Sequence, residues 1–450
     1  MLDARSGSAN AIDVRHFIDS QPVSRYQWMV TAMCGLIVFV DGFDAQAVGF
    51  VAPALTAELG VSRAVLGTVL SSGLTGMMIG ALLFGPVADH IGRKPVLILA
   101  TLIFGIGSLL TATASTIEGL SAWRFLTGLG MGGAMPNAIA LTSEFMPSRQ
   151  RATAVTAMMC GFSLGAAVGG FVAAELIPHF GWQAVFIAGG AVPLVIAVMA
   201  WGLLPESIRF LLVRPNGRAR AAGYLSRIAP GVAVDAITAD ADAPQPGFIV
   251  ARLFSDGRAV VTVLIWMIYF TNLLVLYFLN SWLPTIMSDS GIRVGTSIRV
   301  TAMFQIGGCI GAIVLGRMLD YRRTFLIVAA CFVWAAVWII VTAEAGTYVP
   351  LLITAMLASG VGVIGGQNAS HALSSEFYPT RIRATGVGWA LGIGRVGSIV
   401  GPLVGGYLLT RAGGARQVLW AACIPALIAA GAAIAIAVVH RDVGSSEATD

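Results

Sequence analysis

Long apolar stretches recur along this chain and are separated by short polar segments. A helix needs about 20 apolar residues to cross the roughly 30 Å hydrocarbon core of a bilayer, and twelve stretches reach that length. The pattern therefore predicts an all-α membrane protein with twelve spanning helices. The predicted spans are residues 28–51, 64–85, 95–116, 119–142, 152–175, 182–204, 259–282, 297–319, 325–343, 348–372, 384–409 and 416–439.

One longer polar segment divides these spans into six and six. Residues 205–258 contain five prolines, many arginines and several aspartates, a composition typical of a loop in water. We therefore expect two six-helix bundles joined by a soluble linker. The predicted units are an N-terminal tail at 1–27, a first bundle at 28–204, the central linker at 205–258, a second bundle at 259–440 and a C-terminal tail at 441–450.

The composition supports a membrane protein and argues against several other classes. Charged residues make up 11% of the 450 residues, against about 25% in soluble proteins, which is too few to cover a soluble surface. The single lysine, Lys94, is followed by Pro95, so the chain lacks the Gly-Lys-Ser/Thr loop that binds nucleotide phosphates. The five cysteines are scattered through apolar runs without a C-x-x-C pair, as is typical of small buried side chains. We expect no metal and no cofactor.

The basic residues predict the orientation in the membrane, because cytoplasmic loops are rich in arginine and lysine. A cytoplasmic N-terminus places twenty of the 27 basic residues on the cytoplasmic side and five on the outer side. Both termini are therefore expected in the cytoplasm. The net charge of +5 is explained by this bias, and no nucleic-acid partner is expected.

An internal repeat relates the two predicted bundles. Residues 143–153 read S-E-F-M-P-S-R-Q-R-A-T and residues 375–385 read S-E-F-Y-P-T-R-I-R-A-T, which agree at eight of eleven positions. These two stretches are 232 residues apart, and at an offset of 231 residues Gly85 and Asp89 correspond to Gly316 and Asp320. We interpret the halves as duplicates with pseudo-symmetry. Transporters built from such repeats bind their substrate near the bilayer midplane, between the repeats.

Several motifs resemble a known family. The loop G-P-V-A-D-H-I-G-R-K from Gly85 resembles the signature loop of the major facilitator superfamily, with His90 at the usual arginine position. Within this superfamily, three further stretches resemble the aromatic acid:proton symporter family. They are D-G-F-D-A-Q-A-V-G-F-V-A-P-A-L from Asp41, Y-F-L-N-S-W-L-P-T from Tyr277 and Y-P-T-R-I-R-A-T-G-V-G-W-A-L-G-I-G-R-V-G-S from Tyr378. The resemblance implies the major facilitator fold and proton-coupled uptake of benzoate-like or hydroxylated aromatic carboxylates, mostly across bacterial cytoplasmic membranes.

Two aspartates in the first span are candidates for proton coupling. Asp41 and Asp44 are three residues apart and therefore share one helix face. Low dielectric and mutual repulsion both disfavour the charged form of two close carboxylates. The pair can thus take up a proton on one side of the membrane and release it on the other. Helix packing is the structural alternative, with Asp44 hydrogen-bonded to a neighbouring span.

Two arginines are predicted inside spans, where an ionisable residue is a functional candidate. Arg124 lies at the depth of Asp44, so an ion pair is feasible, either as a switch or as a fixed structural pair. Arg395 lies near the midplane of the eleventh span with no acidic residue at an obvious matching depth in its half. A bidentate interaction with a substrate carboxylate would suit it, and pairing with a span-one aspartate is the alternative. Either arginine is a candidate ligand for the substrate carboxylate.

Polar residues of the second half are candidates for binding ring hydroxyls. Asn272 and Gln367 are two of these, Gln367 being favoured by the resemblance, and Tyr277 is a candidate for stacking on a substrate ring. An aromatic side chain at such a position is otherwise a packing residue. Further candidates are Asn280, Gln305, Asn368 and His371, with His371 also a candidate gate residue.

Charged residues at the predicted cytoplasmic span ends form another group. In the resembled superfamily, residues at such places form interhelical salt bridges that close the cytoplasmic side and break when it opens. We expect gating from this group and no direct contact with substrate. The gating candidates are Asp89, Arg93, Glu144, Arg151, Asp320, Glu376 and Arg383.

The predicted function is proton-coupled symport of an aromatic carboxylate, such as benzoate or hydroxybenzoate, by alternating access in a bacterial inner membrane. Such uptake would serve the catabolism of aromatic compounds. The expected partners are the aromatic acid, protons and the lipid bilayer, and the protein is expected to work as a monomer. The alternatives are transport of another organic solute or a non-transporting sensor of aromatic acids. No motif of a membrane enzyme is present, so catalysis is not expected.

Overall fold

A computed structural model describes residues 12–214, 216–229, 237–238, 249–255, 257–319, 324–379, 382–411 and 414–446. Within these ranges the fold is almost entirely helical, and twelve helices have 20 residues or more. The long helices are α2 (Arg25–Leu59), α3 (Arg63–Ile91), α4 (Arg93–Ala112), α5 (Ile117–Phe145), α6 (Ser148–Phe180), α7 (Gln183–Leu203), α10 (Ala259–Asp289), α11 (Val294–Leu319), α12 (Thr324–Glu344), α13 (Val349–Phe377), α14 (Arg383–Arg411) and α15 (Ala415–Ser446).

Short elements occupy the N-terminal segment and the central linker. Three short helices, one 3₁₀ turn and two paired strands are present in the described ranges. The strands are parallel, with Ile12 opposite Ile237, so the N-terminal segment and the linker are hydrogen-bonded to each other. These elements are α1 (Val14–Ser20), α8 (Ile208–Val213), α9 (Arg218–Ile228), the 3₁₀ turn Ile249–Leu253, β1 (Ile12–Asp13) and β2 (Ile237–Thr238).

Eleven helices of the described residues are long and apolar enough to cross a membrane. The long helix missing from that set is α5, which carries Glu118, Arg124 and Glu144. Although α5 is more polar, it packs against both α3 and α4. It also coincides with the predicted span 119–142. Helix ends extend past the predicted boundaries at several places, for example at Ser446 of α15.

Local sequence explains where several helices begin and end. Ser24 and Gln27 form a capping box at the start of α2, which satisfies backbone N–H groups that have no partner within the helix. The turn between α3 and α4 is the single residue Gly92, at φ 103°. A side chain there would also collide with the carboxylate of Glu206. Glycine is therefore required at this position both by the backbone angle and by the close approach of the linker.

The helices α2–α7 pack mainly on one another, and so do α10–α15. In each set the first helix packs on the fifth, the second on the fourth, and the third on the sixth. The largest contacts between the two sets are those of α2 with α10, α3 with α14, and α6 with α11. Residues of α2, α3, α6, α10 and α11 line the candidate site.

Candidate functional site

A buried ion pair lies in the core of the first helix set. Asp44 Oδ2 lies 2.7 Å from Arg124 Nη1, and the exposed fractions of the two side chains are 0% and 4%. Ser108 donates a hydrogen bond to Asp44 Oδ1 at 2.8 Å. The guanidinium carbon of Arg124 lies 5.5 Å from the centre of the Phe186 ring, within the range of a cation–π interaction. Three helices and an aromatic face therefore hold this pair.

Two glycines leave the space that the pair occupies. A Cβ atom at Gly73 of α3 would lie 3.3 Å from the backbone oxygen of Arg124, and one at Gly189 of α7 would lie 3.4 Å from Asp44 Oδ1. Any larger side chain at these positions would press on the ion pair. The small residues of α3 and α7 thus allow a charged pair to fit between closely packed helices.

Asp41 has a different environment, although it lies one turn before Asp44. Its side chain is 1% exposed, and neither carboxylate oxygen has a hydrogen-bond partner among the described residues. A buried carboxylate without a partner is costly when ionised. The surroundings of Asp41 therefore disfavour a charged carboxylate.

Arg395 extends from α14 toward the first helix set. Its Nη1 lies 3.8 Å from the sulfur of Met77 in α3. Among the described residues, no carboxylate lies within 4.0 Å of its guanidinium nitrogens. Arg395 therefore places a guanidinium group at the interface of the two sets, and no described protein carboxylate forms an ion pair with it.

Two adjoining cavities lie between the two helix sets. The first, of about 30 Å³, is lined by residues that include Arg124 and Met77. The second, of about 60 Å³, is lined by residues that include Gln305 and Gln367. The residues that line both cavities are Ala45 and Gln46 of α2 with Tyr277 and Asn280 of α10.

The predicted substrate residues are only partly brought together. Arg124, Tyr277 and Gln367 line the cavities, and Arg395 contacts Met77 in the wall of the first. Asn272 is buried but lines neither cavity.

Gln46 was missed by the sequence interpretation, although a polar residue two positions after Asp44 in an apolar span was a usable signal. Asn280 and Gln305, two of the further candidates, form a hydrogen bond at 3.1 Å, with Gln305 as the donor.

His371 belongs to another polar group. The Tyr269 hydroxyl lies 2.9 Å from His371 Nδ1 and 2.9 Å from the Ser374 hydroxyl. His371 is not among the residues lining the two central cavities. The group joins α10 to α13 and thus ties two helices of the second set together.

The gating candidates form a partial network at the end of the first set that carries α8. Arg93 Nη1 lies 2.7 Å from Glu144 Oε1, and Ser207 donates a hydrogen bond to Glu144 Oε2 at 2.5 Å. Glu206, which sequence reasoning missed, accepts hydrogen bonds from the backbone N–H groups of Arg93, Lys94 and Ser207. The linker therefore holds the turn at Gly92 in place.

The other gating candidates have different surroundings. Asp89 is exposed, Arg151 donates a long hydrogen bond to the Met146 carbonyl, and Arg383 donates one to the Tyr378 carbonyl. Glu376 lies in the last turn of α13. Asp320 lies outside the described residues.

The N-terminal helix α1 is fixed to the loop between α5 and α6. Asp19 accepts hydrogen bonds from the backbone and the hydroxyl of Ser148 at 2.6 and 2.8 Å. Burial raises the pKa of Asp19, but the Ser148 hydrogen bonds and the charges of Arg151 and Arg149 outweigh it, so that the pKa lies below its ordinary value of 3.8. Ionised Asp19 thus helps to dock α1.

Two ion pairs join the helix sets at their other end. Arg63, at the start of α3, lies 2.7 Å from Asp289 at the end of α10. Arg299 of α11 pairs with Glu175 of α6. Sequence reasoning did not predict these pairs, because each joins residues more than 120 positions apart.

Comparison with known proteins agrees with this architecture. A family model for the Major Facilitator Superfamily matches residues 34–212 and 265–449. The 4-hydroxybenzoate transporter PcaK of Pseudomonas aeruginosa is 44% identical over 439 residues, covering 96% of this chain and 98% of the relative. The gallate transporter of Pseudomonas putida is 40% identical over 425 residues, covering 94% and 95%. The xylose transporter XylE from E. coli, in an inward open conformation, has a TM-score of 0.72 at 16% identity, covering 90% of this chain and 94% of that one.

The chain is thus a multi-pass membrane protein of the transporter class, in the bacterial inner membrane. It belongs to the major facilitator superfamily and, within it, to the aromatic acid transporters. The family predicted from the signature loop and the span-one aspartates is confirmed.

Proposed function

We propose that this protein is a secondary transporter that takes up a hydroxylated aromatic carboxylate together with protons. The observation that carries the proposal is the pair of central cavities, of which the first is lined by Arg124 and the second by the amides Gln305 and Gln367. A hydroxybenzoate has a carboxylate at one end of its ring and a hydroxyl at the other. The 4-hydroxybenzoate and gallate transporters that resemble this chain carry substrates of that kind.

In this proposal the protein has twelve transmembrane helices, because α5 also crosses the membrane together with the eleven more apolar helices. Two pseudo-symmetric bundles, at 28–204 and 259–440, lie on either side of the linker, and both termini are cytoplasmic. The equivalent helix pairings of α2–α7 and α10–α15 support the symmetry. The excess of basic residues at the ends that carry the linker supports the orientation.

Arg395 is the better candidate ligand for the substrate carboxylate. Arg124 is already paired with Asp44 at 2.7 Å, whereas Arg395 has no carboxylate within 4.0 Å among the described residues and lies 3.8 Å from the thioether of Met77. A buried guanidinium is stabilised by a carboxylate in bidentate geometry. Arg124 becomes available to the substrate only when Asp44 is protonated and the ion pair is released. Tyr277 and Gln367 contact the ring and its substituents.

The two aspartates carry the coupling in this mechanism. Asp41 is suited to hold a proton in the present state, and Asp44 exchanges a proton for its bond to Arg124. A monoanion entering an inside-negative cell faces about 2.3 kcal/mol per 100 mV. One accompanying proton cancels that charge, so the pH gradient can then drive uptake.

Alternating access follows from which end of the bundles is closed. The pairs Arg63–Asp289 and Glu175–Arg299 join the bundles at the outer end, as expected for an inward-facing state. The Arg93–Glu144 pair is already formed within the first bundle in this state, so its role is to stabilise the cytoplasmic end of that bundle. The remaining gating residues act when the cytoplasmic side closes. The protein works as a monomer in the lipid bilayer, carries its solute unchanged and needs no cofactor.

Uptake of labelled 4-hydroxybenzoate into proteoliposomes tests the proposal. A pH gradient that is acidic outside the vesicles should drive accumulation, and an uncoupler should abolish it. Benzoate analogues without the carboxyl group should not compete. Uptake that is indifferent to the gradient would overturn proton coupling. Competition by uncharged analogues would point to another organic solute, and binding without uptake would point to a sensor.

A further inference from the structure

Gln46 of α2 has no assigned role, yet it lines both central cavities. Its side chain is 3% exposed, and its amide nitrogen Nε2 has no hydrogen-bond partner among the described residues. A buried amide N–H without a partner is unfavourable, and native structures seldom leave one without a reason. The position of this donor beside a cavity suggests that its partner is a ligand.

The packing of α2 fixes the direction in which Gln46 faces. A Cβ at Gly49 would collide with the backbone of Asn280 and approach Ser281 in α10, so this face of α2 lies directly on α10. Residues three apart share a helix face, and Gln46 therefore faces α10 one turn away from that contact. Tyr277 and Asn280 line the same two cavities as Gln46.

The two cavities differ in the charge of the side chains around them. Arg124 lines the first cavity, and Arg395 reaches its wall at Met77. The second cavity has only neutral polar side chains, among them Gln305 and Gln367. Gln46 stands where the two cavities adjoin.

We propose that Gln46 is a specificity-determining residue that hydrogen-bonds the ring hydroxyl of the aromatic acid. This inference rests on the proposed function and adds to it the orientation of the substrate. The carboxylate lies toward the arginines, and the hydroxyl lies toward Gln46 and the amides of the second cavity.

The chemistry of the amides suits a phenol. A phenolic hydroxyl both donates and accepts hydrogen bonds, and a neutral amide offers the complementary acceptor and donors. Asn280 Oδ1 already accepts from Gln305 at 3.1 Å, which orients both amides before a ligand binds. A substrate without the hydroxyl would leave the Gln46 donor unpaired, so the site should disfavour it.

The test compares 4-hydroxybenzoate with benzoate in the full-length protein in proteoliposomes. Gln46→Met keeps the length of the side chain and removes the amide. We expect its affinity for 4-hydroxybenzoate to fall about tenfold, the upper range for one neutral hydrogen bond, while the affinity for benzoate stays within twofold. Gln46→Asn, which keeps the amide on a shorter side chain, should give an intermediate ratio and is the second variant if Gln46→Met does not fold.

Gln27→Met is the matched control. Gln27 is another buried amide of α2, but it lines neither cavity. It donates a hydrogen bond to the Phe145 carbonyl and accepts one from the backbone N–H of Ser24. Its loss should lower stability and leave the ratio of the two affinities unchanged. An unchanged ratio in Gln46→Met, or an equal loss for both acids, would overturn the inference. If the parent protein takes up neither acid, the proposed function fails instead.

Discussion

Asp44 forms a 2.7 Å ion pair with Arg124, whereas Asp41, one turn earlier on the same helix, has no hydrogen-bond partner among the described residues. Both carboxyl groups are nearly inaccessible to solvent. Two acids of the same helix thus have opposite surroundings, one suited to a negative charge and the other to a neutral group. Variants of the two aspartates should therefore differ in their effects on stability and on transport.

Stability should respond to Asp44 and not to Asp41. Asp44→Asn leaves the Arg124 charge buried without its partner, which costs about 3–5 kcal/mol when a buried ion pair is broken. Asp41→Asn replaces a carboxyl group whose surroundings disfavour a charge by a neutral amide of the same shape, so its stability should change little. Thermal unfolding of the purified variants measures both effects. Adding Arg124→Gln to Asp44→Asn should recover part of the loss, and equal melting temperatures for the two single variants would contradict the pair's role.

Accumulation of substrate should depend on Asp41, although stability should not. Asp41→Asn should retain exchange of labelled for unlabelled 4-hydroxybenzoate but lose accumulation against a gradient, because the group proposed to carry the proton is gone. Vesicles with an imposed pH gradient measure accumulation, and vesicles without one measure exchange. Accumulation at the parent level would show that Asp41 does not carry the coupled proton.

The sequence was sufficient to predict the main features of the fold and part of the site. Spans of 20 apolar residues and the motifs around Asp41 indicated the helices and the family, because both depend on local patterns. The Asp44–Arg124 pair was feasible from sequence, since the two residues lie at one depth in their spans. Its hydrogen bond from Ser108 could not be foreseen, because nothing local marks which neighbouring helix supplies it.

Asn272, Asn280 and Glu206 show where sequence reasoning ends. Asn272 and Asn280 lie eight residues apart on α10, or about 12 Å of helix rise, and only Asn280 lines the cavities. Composition alone cannot choose between two asparagines of one span. Glu206 contacts the turn at Gly92 across more than 110 residues of chain, and such an approach depends on how the linker folds back.

Binding should depend strongly on Arg395. Arg395→Gln removes the positive charge proposed to hold the substrate carboxylate, and a charge-assisted hydrogen bond is worth roughly 1.5–3 kcal/mol, so affinity should fall by about ten- to a hundredfold. Arg395→Lys should restore part of it, since lysine keeps the charge but not the bidentate geometry. Titration calorimetry with 4-hydroxybenzoate measures these affinities. Met77→Leu is the control for packing beside Arg395 and should bind within a few-fold of the parent.

The docking of α1 should depend on pH through Asp19. The pKa of Asp19 is lower in the folded protein than its ordinary value of 3.8, so its contribution to stability is present above that value and is lost as the pH falls through the lower folded value. Asp19→Asn should therefore be less stable than the parent at pH 7, and the difference should shrink below pH 3.8. Thermal unfolding from pH 7 to pH 3 tests this. A difference that stays constant over that range would contradict it.

The ion pair between Arg63 and Asp289 joins the two helix sets at the end that we propose faces outward, so it should open during each transport cycle. Cysteines at both positions, in a chain whose five native cysteines are replaced by serine or alanine, can be joined by a short, reducible bifunctional thiol reagent. Cross-linking should stop uptake, and reduction of the linker should restore it.

The matched control for this cross-link is the pair Arg416–Glu344, which has the same 2.7 Å separation but joins α12 to α15 within the second bundle. Cysteines there should be cross-linked with little effect on uptake, because helices of one bundle move together when two bundles rock as rigid bodies. If both cross-links inhibit equally, uptake requires motion within the second bundle. If neither inhibits, the outer end does not open at Arg63, and the proposed rocking of the bundles about the central site is wrong.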